Sequence, residues 1–131
     1  MTETLYWYDL ETTGIDSILD RPLQFAGVRT DLDLNEIKPP QNFLGRPGTD
    51  VLPQPEALLV TCISLVEIRE KGISERAFTE KVLEQFNQPQ SCVVGFNSLR
   101  FDDEFIRQML YRNFHDPYAR EWRNGNSRWD V

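Results

Sequence analysis

The sequence predicts an α/β domain with a mixed sheet: an antiparallel three-stranded meander plus a parallel strand, with flanking helices. Three observations predict it. Extended apolar stretches recur over residues 5–10, 23–30 and 37–44, with turn residues between them. Helical periodicity with its own start and stop residues then fills most of 56–89. Finally, Cys92-Val93-Val94-Gly95-Phe96 reads as a buried strand that passes through Asn97-Ser98 into an amphipathic helix, half of a parallel crossover. At 131 residues the chain is one domain's worth, long enough to bury roughly two-thirds of the surface its unfolded form exposes.

Taken in order, residues 5–10 are apolar or aromatic except Asp9, which predicts a short strand buried on both faces, ended by Thr12-Thr13-Gly14. Residues 15–21 are a loop. Pro22 opens the second strand, where Gly27 marks a bulge or a close backbone approach. Turn residues over 31–36 lead to a short extended piece around Ile37 and another over 42–44. Arg46-Pro47-Gly48 and Pro53-Gln54-Pro55 punctuate a loop. A short helix is expected over 56–61. Ser64 with Glu67 forms a capping-box pattern for a second helix, which Gly72 terminates. Ser74 opens a third, with Phe78, Val82 and Phe86 at core spacing until Pro89 stops it. Asn97-Ser98 supplies the N-cap of the last helix, running to about Phe114.

Composition narrows the functional classes. The chain is 40% hydrophobic and 27% charged, and no run approaches the roughly 18 apolar residues of a membrane span. The opening Met-Thr-Glu-Thr lacks the basic and apolar regions of a signal peptide. Cys62 and Cys92 form no C-x-x-C pair, so reduced thiols in a cytoplasmic protein are expected. A net charge of -7 argues against whole-surface attraction to nucleic acid, so a phosphate ligand would need a local, metal-assisted site.

Two acidic features break the apolar pattern. Asp9 and Glu11 share one side of the first strand, and no Lys or Arg lies between Met1 and Arg21 to answer them. A hard divalent cation such as Mg2+ would do so through oxygen ligands; a solvated turn at the strand's end is the structural alternative. In the last helix, Phe101, Phe105, Ile106, Met109, Leu110 and Phe114 define an apolar face with Asp102 near its centre. Asp103 and Glu104 fall roughly 100 and 200 degrees further round, toward solvent, where the helix dipole accounts for them. Asp102, at the C-terminal end of the preceding strand, can reach the space beside Asp9 and Glu11.

The segments Tyr8-Asp9-Leu10-Glu11-Thr12-Thr13-Gly14 and Asn97-Ser98-Leu99-Arg100-Phe101-Asp102 resemble the first two motifs of the DEDD exonuclease superfamily, whose fold is RNase H-like. Asp20-Arg21-Pro22-Leu23-Gln24-Phe25-Ala26, Leu52-Pro53-Gln54-Pro55, Tyr111-Arg112-Asn113-Phe114, Asp116-Pro117-Tyr118 and Asn126-Ser127-Arg128-Trp129-Asp130 are similar to segments of the bacterial exodeoxyribonuclease I family. The resemblance implies a 3'-5' exonuclease that releases nucleoside 5'-monophosphates from single-stranded DNA. It makes Asp9, Glu11 and Asp102 catalytic, metal-site acids for two Mg2+ ions, with Mn2+ as a substitute. It places Glu11, Thr12, Gln24, Thr61, Asn97 and Phe101 along the substrate groove. A single-strand-binding protein is the implied protein partner.

The family's third motif, H-x-x-x-x-D, has no match, because the only histidine, His115, is followed five residues later by Arg120. His115 is therefore expected at a helix end. Asp130 has Asn126 four places before it, which excludes the Y-x-x-x-D variant. The expectation is an N-terminal portion of the exonuclease domain, truncated before its last helix, with three of four acids, no catalytic base and an unfinished sheet edge. Cys62 stands where relatives often carry Gly after Thr. The mixture of Tyr118, Arg120, Trp122, Arg123, Arg128 and Trp129 reads as ordinary packing, since six basic residues over 100–131 meet six acidic ones. The other readings left open are a DEDD exoribonuclease acting on short RNA and a non-catalytic interaction module.

Overall fold

β1 (Thr4–Thr12) runs through the middle of a mixed sheet. The computed structural model describes residues 3–98 and 101–131. Leu99 and Arg100, expected in the second motif and the first turn of the last helix, lie outside the described residues, as do Met1 and Thr2. Among the described residues the sheet has five strands, ordered β3-β2-β1-β4-β5. β2 (Pro22–Thr30) pairs antiparallel with β1, and β3 (Gln41–Leu44) pairs antiparallel with β2. That is the expected meander. β4 (Ser91–Gly95) and β5 (Ser127–Asp130) extend the sheet in parallel on the other side of β1.

α1 (Pro55–Thr61), α2 (Leu65–Lys71) and α3 (Glu75–Phe86) fill the stretch between β3 and β4, and α4 (Asp102–Arg112) follows β4. Their boundaries follow the sequence signals. Ser64 accepts the Glu67 N–H and Ser74 the Ala77 N–H, so both serines cap their helices. Gly72 closes α2, and Cys62 closes α1 in a left-handed conformation with φ 59°.

Alternation along β1 decides where the core sits. Tyr6, Tyr8 and Leu10 point to one face, where they meet Phe25, α3 through Phe78, Val82 and Phe86, and α4 through Phe105, Ile106, Met109 and Leu110. Phe86 stands edge-on to Tyr8 with ring centroids 5.1 Å apart, and Phe25 stacks on Tyr8 at 5.9 Å. Such pairs add about 0.5–1.5 kcal/mol each beyond burial. Gly27 allows the close approach: a Cβ there would lie 2.3 Å from Tyr6 Oη. No helix among the described residues is long and apolar enough to cross a membrane.

Several expectations are corrected. β1 is not buried on both faces: Leu5 and Trp7 are half-buried and Asp9 is exposed, because α3 and α4 cover only the opposite face. Phe96 lies past the end of β4 and is 82% exposed. α4 begins at Asp102, with Phe101 rather than Asn97-Ser98 at its N-cap, because Asn97 adopts a left-handed φ of 54° that holds the chain in a turn. Starting the helix there turns Asp103 inward, not toward solvent: it is 1% exposed. Phe114, placed by periodicity on the apolar face, lies beyond the helix end at φ 66° and is 98% exposed. β5, formed by Ser127–Asp130, stands at the sheet edge beyond β4.

Candidate active site

β4 pairs only with the first half of β1, from Thr4↔Ser91 to Trp7↔Val94, whereas β1 pairs with β2 as far as Thr12. The later half of β1 therefore stands beyond the end of β4, where the chain turns into α4. Asp102, the first residue of that helix, stands at this space, near enough for the Leu10 backbone amide to act on its carboxylate.

Asp9 and Glu11 project together from the face of β1 opposite the aromatic core, as alternation predicts. Glu11 is half-buried, and burial, then Asp9, push its carboxyl above the usual range. Asp102 is 5% exposed and responds more strongly. Its burial, followed by the charges of Asp9, Asp103 and Glu11, pushes its carboxyl up to about 7. Asp9 and Glu11 thus act on Asp102 across the gap between strand and helix, which places the acids in one electrostatic neighbourhood.

Adjacent Asp103 shows the contrast. Burial would raise its carboxyl too, but Arg120, the Tyr8 O–H and Arg128 outweigh burial and hold it below the usual range. No cationic side chain among the described residues plays that part for Asp102. An all-oxygen donor set with unanswered negative charge fits a hard divalent cation. The fit is one of chemistry rather than of a closed cage. Among the described residues no three His, Cys, Asp or Glu side chains stand in ready ligand geometry, and mutual repulsion of like charges opposes such closure.

A groove of about 640 Å³ opens beside Glu11, within the range of small-ligand sites. Thr12, Thr61 and Phe101 line it with Glu11, as expected of groove residues, and Ile15 and Val60 add an apolar wall. Its floor is fixed by Asp20, which accepts the Thr13 hydroxyl at 2.8 Å and the Asp16 N–H at 3.0 Å. Gly14 lies so close to Asp20 that a Cβ would be 2.4 Å from its carboxylate. The Gln54 N–H donates to Thr13 O at 2.7 Å and ties the start of α1 to the same loop.

Two expected groove residues lie outside it. Gln24 sits opposite Glu11 on the same sheet face but donates to Asn42 Oδ1 at 2.8 Å, and it is not among the lining residues. Asn97 is exposed in the turn after β4. Sequence reasoning missed Ile15, Val60 and the structural role of Asp20; the available signal was an apolar residue, Ile15, in a stretch read as loop, and the structure leaves it 89% exposed.

His115 behaves as expected of a residue at a helix end. It follows α4 and stands 3.1 Å from Glu80, with the helix, about 16 Å long at 1.5 Å per residue, between it and Asp102. Arg120 is packed as expected, 2% exposed over the Phe86 ring and paired with Asp103, but Tyr118, Trp122, Arg123 and Trp129 are exposed, which corrects the packing expected of them: they lie on the outer side of the turns that follow α4 and of edge strand β5.

The exonuclease family model (RNase_T) matches residues 6–131. Exodeoxyribonuclease I of Haemophilus influenzae is 48% identical over 128 residues, covering 98% of this chain and 27% of that protein. The chain thus spans about a quarter of the length of the relatives it matches. A zinc-bound complex of Escherichia coli ExoI with single-stranded DNA superposes with a TM-score of 0.97 at 47% identity, covering 99% of this chain and 28% of that one. An ExoI/SSB-Ct complex gives the same TM-score, identity and shares. The similarity extends to the fold: the sheet and its flanking helices match the RNase H-like architecture of exonuclease I.

Proposed function

Since this chain belongs to the RNase_T exonuclease family, we propose that it is the first portion of a divalent-metal-dependent 3'-5' exonuclease domain. The substrate is single-stranded DNA and the products are nucleoside 5'-monophosphates. One observation carries the reading: β1 and the first turn of α4 bring Asp9, Glu11 and Asp102 into one electrostatic neighbourhood, with Glu11 lining the adjacent groove. The exodeoxyribonuclease I relatives, and the DNA and zinc in one of their structures, support the choice of substrate and of a divalent ion.

Asp9, Glu11 and Asp102 would hold the cations, Mg2+ in our proposal. When bound, the ions neutralise charge at the phosphodiester and favour ionisation of an attacking water. The chain's own residues do the rest. Burial, then Asp9, raises the Glu11 carboxyl, and burial, then Asp9, Asp103 and Glu11, raises that of Asp102, so the cluster resists gathering its full negative charge before cations bind. The apolar wall of Ile15 and Val60, with the Phe101 ring, receives the terminal sugar and base, and Thr12 and Thr61 supply hydroxyls along the same groove. Gln24 and Asn97 remain candidates for contacts further along the strand.

His115 has no part in this chemistry. A general base and a fourth acid are assigned to the rest of the domain, outside the 131 residues. The whole protein is placed in the cytoplasm, with single-stranded DNA and the C-terminus of a single-strand-binding protein as partners, the latter by likeness to the ExoI/SSB-Ct complex. Isothermal titration tests the site. Mn2+ should bind saturably to the 131-residue chain, and Asp9→Ala should weaken binding at least tenfold. Undiminished binding in that variant would remove Asp9 from the site.

A further inference from the structure

We propose that Asp103 is a positioning residue: gripped by Tyr8, Arg120 and Arg128, it sets where the neighbouring Asp102 carboxylate stands relative to Asp9. The inference rests on the reading of Asp9 and Asp102 as metal ligands.

Asp103 is 1% exposed, yet both its oxygens are bonded. Oδ1 accepts the Tyr8 hydroxyl at 2.6 Å and Arg120 Nη2 at 3.0 Å, and Oδ2 accepts Arg128 Nη1 at 2.8 Å. Those donors come from three separate places: β1, the 3-10 turn at Ala119–Glu121, and β5. Arg120 is itself fixed, lying 4.6 Å over the Phe86 ring, and Arg128 also reaches Glu121 at 2.8 Å. Charge-assisted bonds in a buried setting are strong and directional, so this carboxylate has one arrangement.

Phe101 occupies the N-cap of α4 and makes no capping side-chain bond. The Asp103 N–H donates to Ser98 O at 2.8 Å, a backbone tie only. The placement of Asp103 relative to the acids is regular. Tyr8 precedes Asp9 in β1, and Asp103 follows Asp102 in α4. The Tyr8–Asp103 bond therefore joins strand to helix on the core side, one residue along each element from Asp9 and Asp102, whose charges act on one another. Fixing the first pair fixes the separation of the second.

Loss of a network that only stabilised the fold would lower stability and leave the geometry of the folded site unchanged. The readout must therefore report Asp102 itself. The backbone amide of Leu10, which acts on the Asp102 carboxylate, does so. Hydrogen exchange should be followed by NMR in wild type, Asp103→Asn and Tyr8→Phe. Tyr8→Phe keeps the packed ring and all formal charges, and it covers the case in which Asp103→Asn does not fold. The Leu10 amide should exchange at least tenfold faster in Tyr8→Phe, beyond any change in the β2 core amides such as Phe25. Mn2+ affinity should fall threefold or more in the same variant. A Leu10 amide that changes only in step with the Phe25 amide overturns the proposal. If wild type binds no Mn2+, the metal-site reading falls while the Leu10 exchange still decides whether Asp103 positions Asp102.

Discussion

At Asp102 a carboxyl pushed up to about 7 ties protonation to stability. Its folded value lies above the ordinary 3.8, so between those limits the folded state holds the proton that the unfolded chain releases. Its contribution is therefore fully present below about pH 4 and is lost as pH rises through about 7. After allowance for solvent screening the loss is about 1–3 kcal/mol. With divalent ions chelated, urea melts across pH 4–8 should show that decline, and Asp102→Asn should flatten it and be the more stable protein at pH 8. A steeper decline in the variant would contradict the assignment. Asp103 has the opposite sign: its depressed carboxyl stabilises above the ordinary value, and that contribution is lost as pH falls through its folded value.

Among the elements, α3 and α4 draw their stability from the aromatic face of the sheet rather than from their own propensity. Phe86 of α3 meets Tyr6, Tyr8 and Phe25, and carries the Arg120 guanidinium on its ring. Phe86→Ala should cost about 3–5 kcal/mol in equilibrium unfolding, whereas exposed Phe114→Ala should change stability by no more than about 0.5 kcal/mol. Comparable losses from both would mean that Phe114 packs after all. The two residues also mark what periodicity can do. Spacing predicted Phe86 correctly because α3 is regular from the Ser74 cap to its end. It misplaced Phe114 because the chain leaves the helix at Asn113, and nothing local in Tyr111-Arg112-Asn113-Phe114 fixes that exit.

For the whole molecule, the proposed reading makes the groove and its acids one part of a reaction site. The 131-residue chain should degrade a single-stranded DNA oligonucleotide no faster than background, whereas the longer parent protein should shorten it from the 3' end. Matched DNA and RNA oligonucleotides, digested side by side by the longer form, should show faster loss of DNA; preferential RNA digestion would favour the exoribonuclease reading, since only RNA offers a 2' hydroxyl. The sequence by itself determined the order of elements, the helix caps at Ser64 and Ser74, and the shared side of Asp9 and Glu11. Each depends on residues within a few positions of one another. Only the tertiary structure decided that β1 is covered on one face, that α4 starts at Asp102, and that Asp103 is buried while Asp9 is exposed. Those outcomes depend on which elements pack together: Asp103 turns inward because Arg120 and Arg128, 17 and 25 residues away in sequence, arrive to neutralise it, and no local pattern encodes that meeting.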